Sequence, residues 1–147
     1  YVKSMKLLFP TKIRKIHQST LNTQWGDMDA LGHVNNIMYF RYFETARVNR
    51  LKSIGINLGT DNESFVLANA CCEFIIPIKQ PAIISIDTFL SSIGNTSLDL
   101  THELYLECEN NVRKLSARGT ATVVWVSLTK SKSKTLPIRI RKLLSAI

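Results

Sequence analysis

Residues 25–36 read WGDMDALGHVNN and run without a break into IMYFRYFETARVNRLKSIG over residues 37–55. A polar loop with two aspartates and a histidine thus enters a long apolar segment. Ile37, Met38, Tyr39, Phe40, Tyr42 and Phe43 are too crowded for one face of a surface helix. The helix expected over residues 34–54 must therefore be covered on most sides in its first half. Its second half turns polar, with Arg47, Asn49, Arg50 and Lys52. Asn35 or Asn36 can cap its start and Gly55 can stop it. A carboxylate, an imidazole and two amides then stand at the positive end of a buried helix. Such an end stabilises developing negative charge.

Outward from this helix the chain reads as strands. One short strand precedes the loop, near residues 16–24. Four long ones follow. Residues 65–76 place Val66, Ala68, Ala70, Cys72, Phe74 and Ile76 on one face. Pro77 and Pro81 then bracket a turn. Residues 83–92 are rich in Ile, with Ser85 and Asp87 on the other face, and Gly94-Asn95 signals a hairpin. In residues 97–108 the period is two: Leu98, Leu100, His102, Leu104, Leu106 and Cys108 share a face, and Asp99, Thr101, Glu103 and Glu107 the other. Asn110-Asn111 makes the next turn. Residues 112–128 put Leu115, Ala117, Gly119, Ala121, Val123 and Trp125 on one side, and the small residues among them would let a helix approach closely. Pro137 opens a terminal helix. Consecutive antiparallel strands with one helix over a sheet face give an α+β architecture. Ile and Phe on the face away from the helix, together with bare sheet edges, point to packing by another copy.

A chain of 147 residues is long enough for a real core and reads as a single domain, residues 1–147, with a basic leader over 1–14 and a basic tail over 129–147. Its composition, 45% hydrophobic and 20% charged, is that of a soluble globular protein. No apolar run approaches the roughly 18 residues that span a bilayer. The net charge of +8 sits at the ends: residues 1–20 carry five Lys/Arg and residues 128–147 carry six, with no acid in either. Such runs are solvated tails, or they attract an anionic ligand. Three cysteines make no disulfide framework and suggest a reducing, cytoplasmic setting. Cys71 and Cys72 read as strand filler pointing to opposite faces.

The segment DMDALGHVNNIMYFRYFETAR resembles the motif of hotdog-fold thioesterases, in particular the 4-hydroxybenzoyl-CoA thioesterase branch and its bacterial acyl-CoA and plant acyl-carrier-protein relatives. The resemblance implies a long central helix wrapped by a curved antiparallel sheet of about five strands. It extends to the Pro77–Pro81 turn, the Gly94-x-x-Ser97 hairpin and the helix after Pro137. It implies that Asp29 attacks the thioester or activates water for that attack. A backbone N–H near Asn36 would polarise the carbonyl, and Gly32 would let the chain turn close to the substrate. His33 and Asn35 match the H-V-N-N form of the acyl-chain branches, and the resemblance implies that both stand with Asp29 among the catalytic residues. The plant-type enzymes carry an Asn where this chain has Leu31, which argues against an acyl-carrier-protein assignment based on them.

The residues themselves allow this chemistry. Thioester hydrolysis needs a base or nucleophile on one side of the carbonyl and a charge stabiliser on the other. Asp29 can supply the first and the helix N-terminus the second. The competing role for Asp29 is an Asx turn or cap, the usual work of loop aspartates. Asp27 reads as a structural turn residue. His33 titrates near neutrality and can act as acid, base or orienter, or be bound to backbone as a loop imidazole. His102 reads as a satisfied buried histidine and His17 as leader surface. Glu44 orients water or pairs with Arg41 or Arg47. Phe40, Phe43 and the Ile-rich strands suit an apolar acyl group. Lys130, Lys132 and Lys134 are candidates to meet the phosphates of CoA, from this subunit or a neighbour. No serine elbow, metal-ligand spacing or Gly-rich phosphate loop occurs, so no metal or cofactor is expected. The expected activity is hydrolysis of an apolar acyl-CoA by a homodimer or homotetramer, without nucleic acid or membrane partners. An acyl-carrier-protein thioesterase and a non-catalytic binder using its basic ends are the alternatives; the ends lack the aromatics of a nucleic-acid site.

Overall fold

A computed structural model describes residues 9–11, 14–56, 58–59 and 62–146. The strands are β1 (Arg14–Asn22), β2 (Glu63–Phe74), β3 (Ile83–Ile93), β4 (Ser97–Glu107), β5 (Arg113–Ser127) and a two-residue β6 (Lys132–Ser133). The helices are α1 (Asn36–Ser53) and α2 (Ile138–Ser145). All pairings are antiparallel, in the order β1-β3-β4-β5-β2, with β6 on β5. The expected leader overlaps β1 at Arg14, and most of it lies outside the described residues. Phe9 and Pro10 line a small cleft with Thr101, Glu103 and Arg118.

The sheet curls around α1 because bulges interrupt four of its ladders. Close approach is made possible at Gly119, which lies in register between His102 of β4 and Cys72 of β2. Phe43 of α1 occupies the space a Cβ would take there. Its ring stacks on His102, with centroids 5.2 Å apart and planes 13° apart. Tyr39, Tyr42, Phe43 and Ala46 form one core with Ile84, Ile86, Leu104 and Ala117. Leu51, Phe65, Trp125, Leu136, Ile140 and Leu144 form a second at the other end of α1, where α2 packs.

Three expectations need correction. In β2 the bulge between Leu67 and Asn69 shifts the phase, so the face predicted from Val66 and Ala68 is not the inner one. Phe65 is buried against Trp125 while Val66 is exposed. Beyond the bulge Cys72 joins the core beside α1, and Phe74 lies edge-on to Tyr39. Secondly, the centre of the sheet's outer face is polar. Asp87, though buried, is held by Lys15 at 2.8 Å and Arg113 at 3.2 Å, and Arg113 lies 4.2 Å over the Tyr105 ring. Exposed apolar residues cluster at the β2 edge and around the start of α1, with Leu67, Phe74, Ile75, Leu31 and Ile37, while others, such as Trp25, Ile83 and Ile138, are scattered singly. Thirdly, His17 is half-buried in β1, where desolvation lowers its pKa, and is not leader surface.

Candidate active site

The loop before α1 is a miniature hairpin. Met28 bridges Val34, the Asp29 N–H donates to the His33 carbonyl (2.8 Å), and the Gly32 N–H donates to the Asp29 carbonyl (3.1 Å). Gly32 closes it at φ +73°, a conformation that costs glycine little. The Val34 N–H donates to Ile78 (2.8 Å), tying the loop to the segment between Pro77 and Pro81. Asp27 anchors the other side. It is buried, and its Oδ2 accepts from the Gln24 N–H (2.8 Å) and the Tyr42 hydroxyl (2.6 Å). Burial and that carboxylate push the Tyr42 phenol well above its ordinary pKa. Asp27 is therefore a scaffold residue, as the sequence reading has it.

Asp29 makes an Asx turn: its Oδ1 accepts from the N–H groups of Leu31 (2.8 Å) and His33 (3.3 Å). Its Oδ2 has no hydrogen-bond partner among the described residues. The structural and chemical roles weighed for this residue are thus compatible, since they use different oxygens. Asn35 is the helix cap; its side chain accepts from the Ile37 N–H at 3.0 Å. The Asn35 N–H is taken by the Asp27 carbonyl (2.8 Å). That leaves the Asn36 N–H, first in the helix, without an acceptor among the described residues.

Asp29, Leu31, His33, Asn36, Tyr39 and Phe74 line one cleft of about 230 Å³, with Ile75, Ile76 and Pro77 completing its wall. A second cleft of about 260 Å³ lies further down the seam between α1 and β2, where Ile37, Phe40, Phe43, Glu44 and Arg47 face Leu67, Ala70 and Thr120. Thus Asp29, His33 and Asn36 are brought together, and Phe40 and Glu44 line the neighbouring space. Asn35 and Gly32 support the loop from outside either cleft.

Lys130, Lys132 and Lys134 lie elsewhere. They follow β5, whose end pairs with the start of β2 (Ser127 opposite Glu63), beside the core around Leu51. This is the far end of α1 from Asp29, so the lysines do not meet the Asp29 cleft within one chain. Lys134 is ion-paired to Glu63.

Two residues escaped the sequence reading. Tyr42 braces Asp27 from the helix, and Arg47, assigned to the polar half of α1, is only 7% exposed. The signal for Arg47 was its spacing: eleven residues is close to three turns, which sets it on the stripe that begins at Asn36. Glu44, expected to orient water or to pair with Arg41 or Arg47, is exposed on the wall of the second cleft and makes no ion pair among the described residues. The described residues hold no group of three or more potential metal ligands.

Residues 23–144 match the family model of the thioesterase-like superfamily. The chain belongs to this superfamily. As a member with this curled sheet and central helix, it is a thioester hydrolase of hotdog fold. The chain is 30% identical to the PA2801 protein from Pseudomonas aeruginosa, a candidate thioesterase, whose structure covers 89% of this chain and 99% of its own at a TM-score of 0.81. It is 25% identical over 129 residues to the chloroplastic acyl-acyl carrier protein thioesterase ATL3 of Arabidopsis thaliana, spanning 86% of this chain and 64% of that protein. Slr0204, a 1,4-dihydroxy-2-naphthoyl-CoA thioesterase from Synechocystis, covers 89% of this chain and 98% of its own at a TM-score of 0.76; at 18% identity it shares the fold alone.

Proposed function

We propose that this superfamily member hydrolyses acyl-CoA thioesters with Asp29 as base or nucleophile. The observation that carries the reading is that two residues lining one cleft each keep an unused group among the described residues: the Asp29 Oδ2 and the Asn36 N–H. With the thioester carbonyl between them, its oxygen accepts from Asn36 and gains from the helix dipole as the tetrahedral intermediate forms. Asp29 either attacks the carbonyl carbon, releasing CoA thiolate and leaving an anhydride for water to open, or takes a proton from the attacking water. The Asx turn fixes its aim by holding Oδ1. Asn35 and Gly32 serve by shaping the loop, and His33, on the cleft wall, orients water or substrate. Phe74, Ile75 and Ile76 suit an apolar acyl body.

The free edge of β2 supports a homodimer. It is long, carries exposed Val66 and Leu67, and has no neighbouring strand among the described residues. Two such edges related by a two-fold axis run antiparallel. The Glu63 end of one then meets the Phe74 end of the other. That brings the partner's Lys130 and Lys132 toward the Asp29 cleft, where they suit CoA phosphates. A solution mass of one chain would remove this part of the reading. The ATL3 match favours a second donor, acyl carrier protein, whose acidic surface also suits these lysines. No helix among the described residues is long and apolar enough to cross a membrane. Three free cysteines fit our assignment to the cytoplasm.

Thiol release from parallel acyl-CoA and acyl-carrier-protein panels tests the donor, and Asp29→Asn tests the chemistry. The variant is expected to keep the parent's melting curve and lose about 10²- to 10⁴-fold in kcat. Equal thiol release from both proteins refutes the role of Asp29.

A further inference from the structure

The second cleft ends in a group that an apolar acyl chain would leave unsatisfied. Arg47 is 7% exposed, lines the cleft and has no hydrogen bond or ion pair among the described residues. A guanidinium carries five N–H donors; those of Arg47 are not sealed from water, and an apolar chain filling the cleft would displace that water without supplying acceptors, which is costly. Desolvation accordingly lowers its pKa, and Glu44, exposed on the helix surface, only partly offsets this. His102, fully buried nearby, is kept neutral by its own burial and by the Arg47 charge, and an imidazole carries no negative charge in either state, so it offers Arg47 no counter-ion.

The rest of the cleft is apolar apart from Thr120 and the exposed side chains of Arg41 and Glu44: Ile37, Phe40, Phe43, Leu67 and Ala70. Asn36, Phe40, Phe43 and Arg47 recur along one stripe of α1. The axial rise from Asn36 to Arg47 is about 16 Å. The Arg47 side chain leans back toward the helix N-terminus. Measured along the helix, this leaves about 10 Å between a carbonyl at Asn36 and the guanidinium, the length of a chain of about six to eight carbons laid from the first cleft along Phe40 and Phe43 into the second.

We propose that Arg47 is a specificity-determining residue that binds a carboxylate at the far end of the acyl group, so that the preferred substrate is the mono-thioester of a medium-length dicarboxylic acid. A carboxylate fits the guanidinium fork with two parallel hydrogen bonds. The inference rests on the Asn36–Asp29 reading for the position of the thioester, but the binding step can be tested apart from turnover.

The experiment compares octanedioyl-mono-CoA with octanoyl-CoA by thiol release, and octanedioate with octanoate by calorimetry, on wild type, Arg47→Met and Arg47→Lys. Wild type is expected to favour the carboxyl-tipped member of each pair. In Arg47→Met the ratio of the two kcat/KM values falls by about 10- to 100-fold, the worth of a charge-assisted hydrogen bond. Arg47→Lys retains part of the ratio. A wild type that prefers octanoyl-CoA, or binds the two acids equally, overturns the proposal whatever the variants do. So does an Arg47→Met protein that loses its oligomeric state but keeps the parent's preference, since the guanidinium would then pair with a second copy. Should neither thioester be turned over, the Asp29 reading fails, and calorimetry alone decides the carboxylate site.

Discussion

Replacing Gly119 with alanine should destabilise the protein although alanine is the better strand residue. A Cβ built at Gly119 falls 2.6 Å from Phe43 Cδ2 and 3.0 Å from Cζ, well inside van der Waals contact. Phe43 cannot swing aside. It is 2% exposed and stacked on a His102 ring that is itself fully buried. Removing glycine from a strand returns about 0.5–1 kcal/mol of backbone entropy. Overpacking a core costs about 1–3 kcal/mol, and the rigid ring puts this site at the upper end. The net loss should be about 1–2 kcal/mol, seen as a Tm lower by about 2–8 °C for a chain of this size. Urea unfolding of Gly119→Ala, Phe43→Leu and the double variant would close a mutant cycle. A favourable coupling near 1 kcal/mol is expected, because leucine vacates the space the methyl needs. A Gly119→Ala protein as stable as the parent, with no coupling to Phe43, would refute the claim that α1 sits on the sheet because β5 has no side chain there.

His102 makes stability depend on pH. Burial, with a smaller part from Arg47, lowers its pKa to about 3, so the folded protein holds it neutral while the unfolded chain protonates near its ordinary value. Its contribution is complete above about pH 6.5 and is lost as pH falls toward 3, at up to about 1.4 kcal/mol per pH unit. Urea midpoints at pH 7, 6 and 5 should fall less steeply in His102→Gln than in wild type; identical slopes would show that this imidazole is not the group responsible. Tyr42→Phe strips the buried Asp27 carboxylate of its shortest donor and should cost about 1–3 kcal/mol in urea unfolding. A change below about 0.5 kcal/mol, the usual scale of surface substitutions, would mean that Asp27 is held by the loop backbone alone.

Much of this protein is written locally. The Asx turn at Asp29, the left-handed Gly32 and the Asn35 cap involve residues within four positions of one another, so composition and spacing reveal them. The same holds for the hairpin at Gly94, whose N–H donates to Ser97, and for the left-handed Asn110 and Asn111. The strict alternation in β5 gave its inner face because no bulge interrupts the ladder from Ala117 to Val124 against β4 and only Leu67–Asn69 slips against β2.

What sequence spacing could not settle depends on partners distant along the chain. Residue 68 shifts the phase of β2 because Val123 and Thr122 of β5 oppose Leu67 and Asn69, a pairing more than fifty positions away. Arg47 looks like a surface cation until β2 and β5 close over its side of α1, and Lys130 looks like a neighbour of the site until Ser127 is placed opposite Glu63. Capping and turn chemistry depend on dihedral preferences and on hydrogen bonds a few residues long, which the chain carries wherever it folds. Burial depends on what arrives from elsewhere to exclude water, and only the assembled sheet decides that.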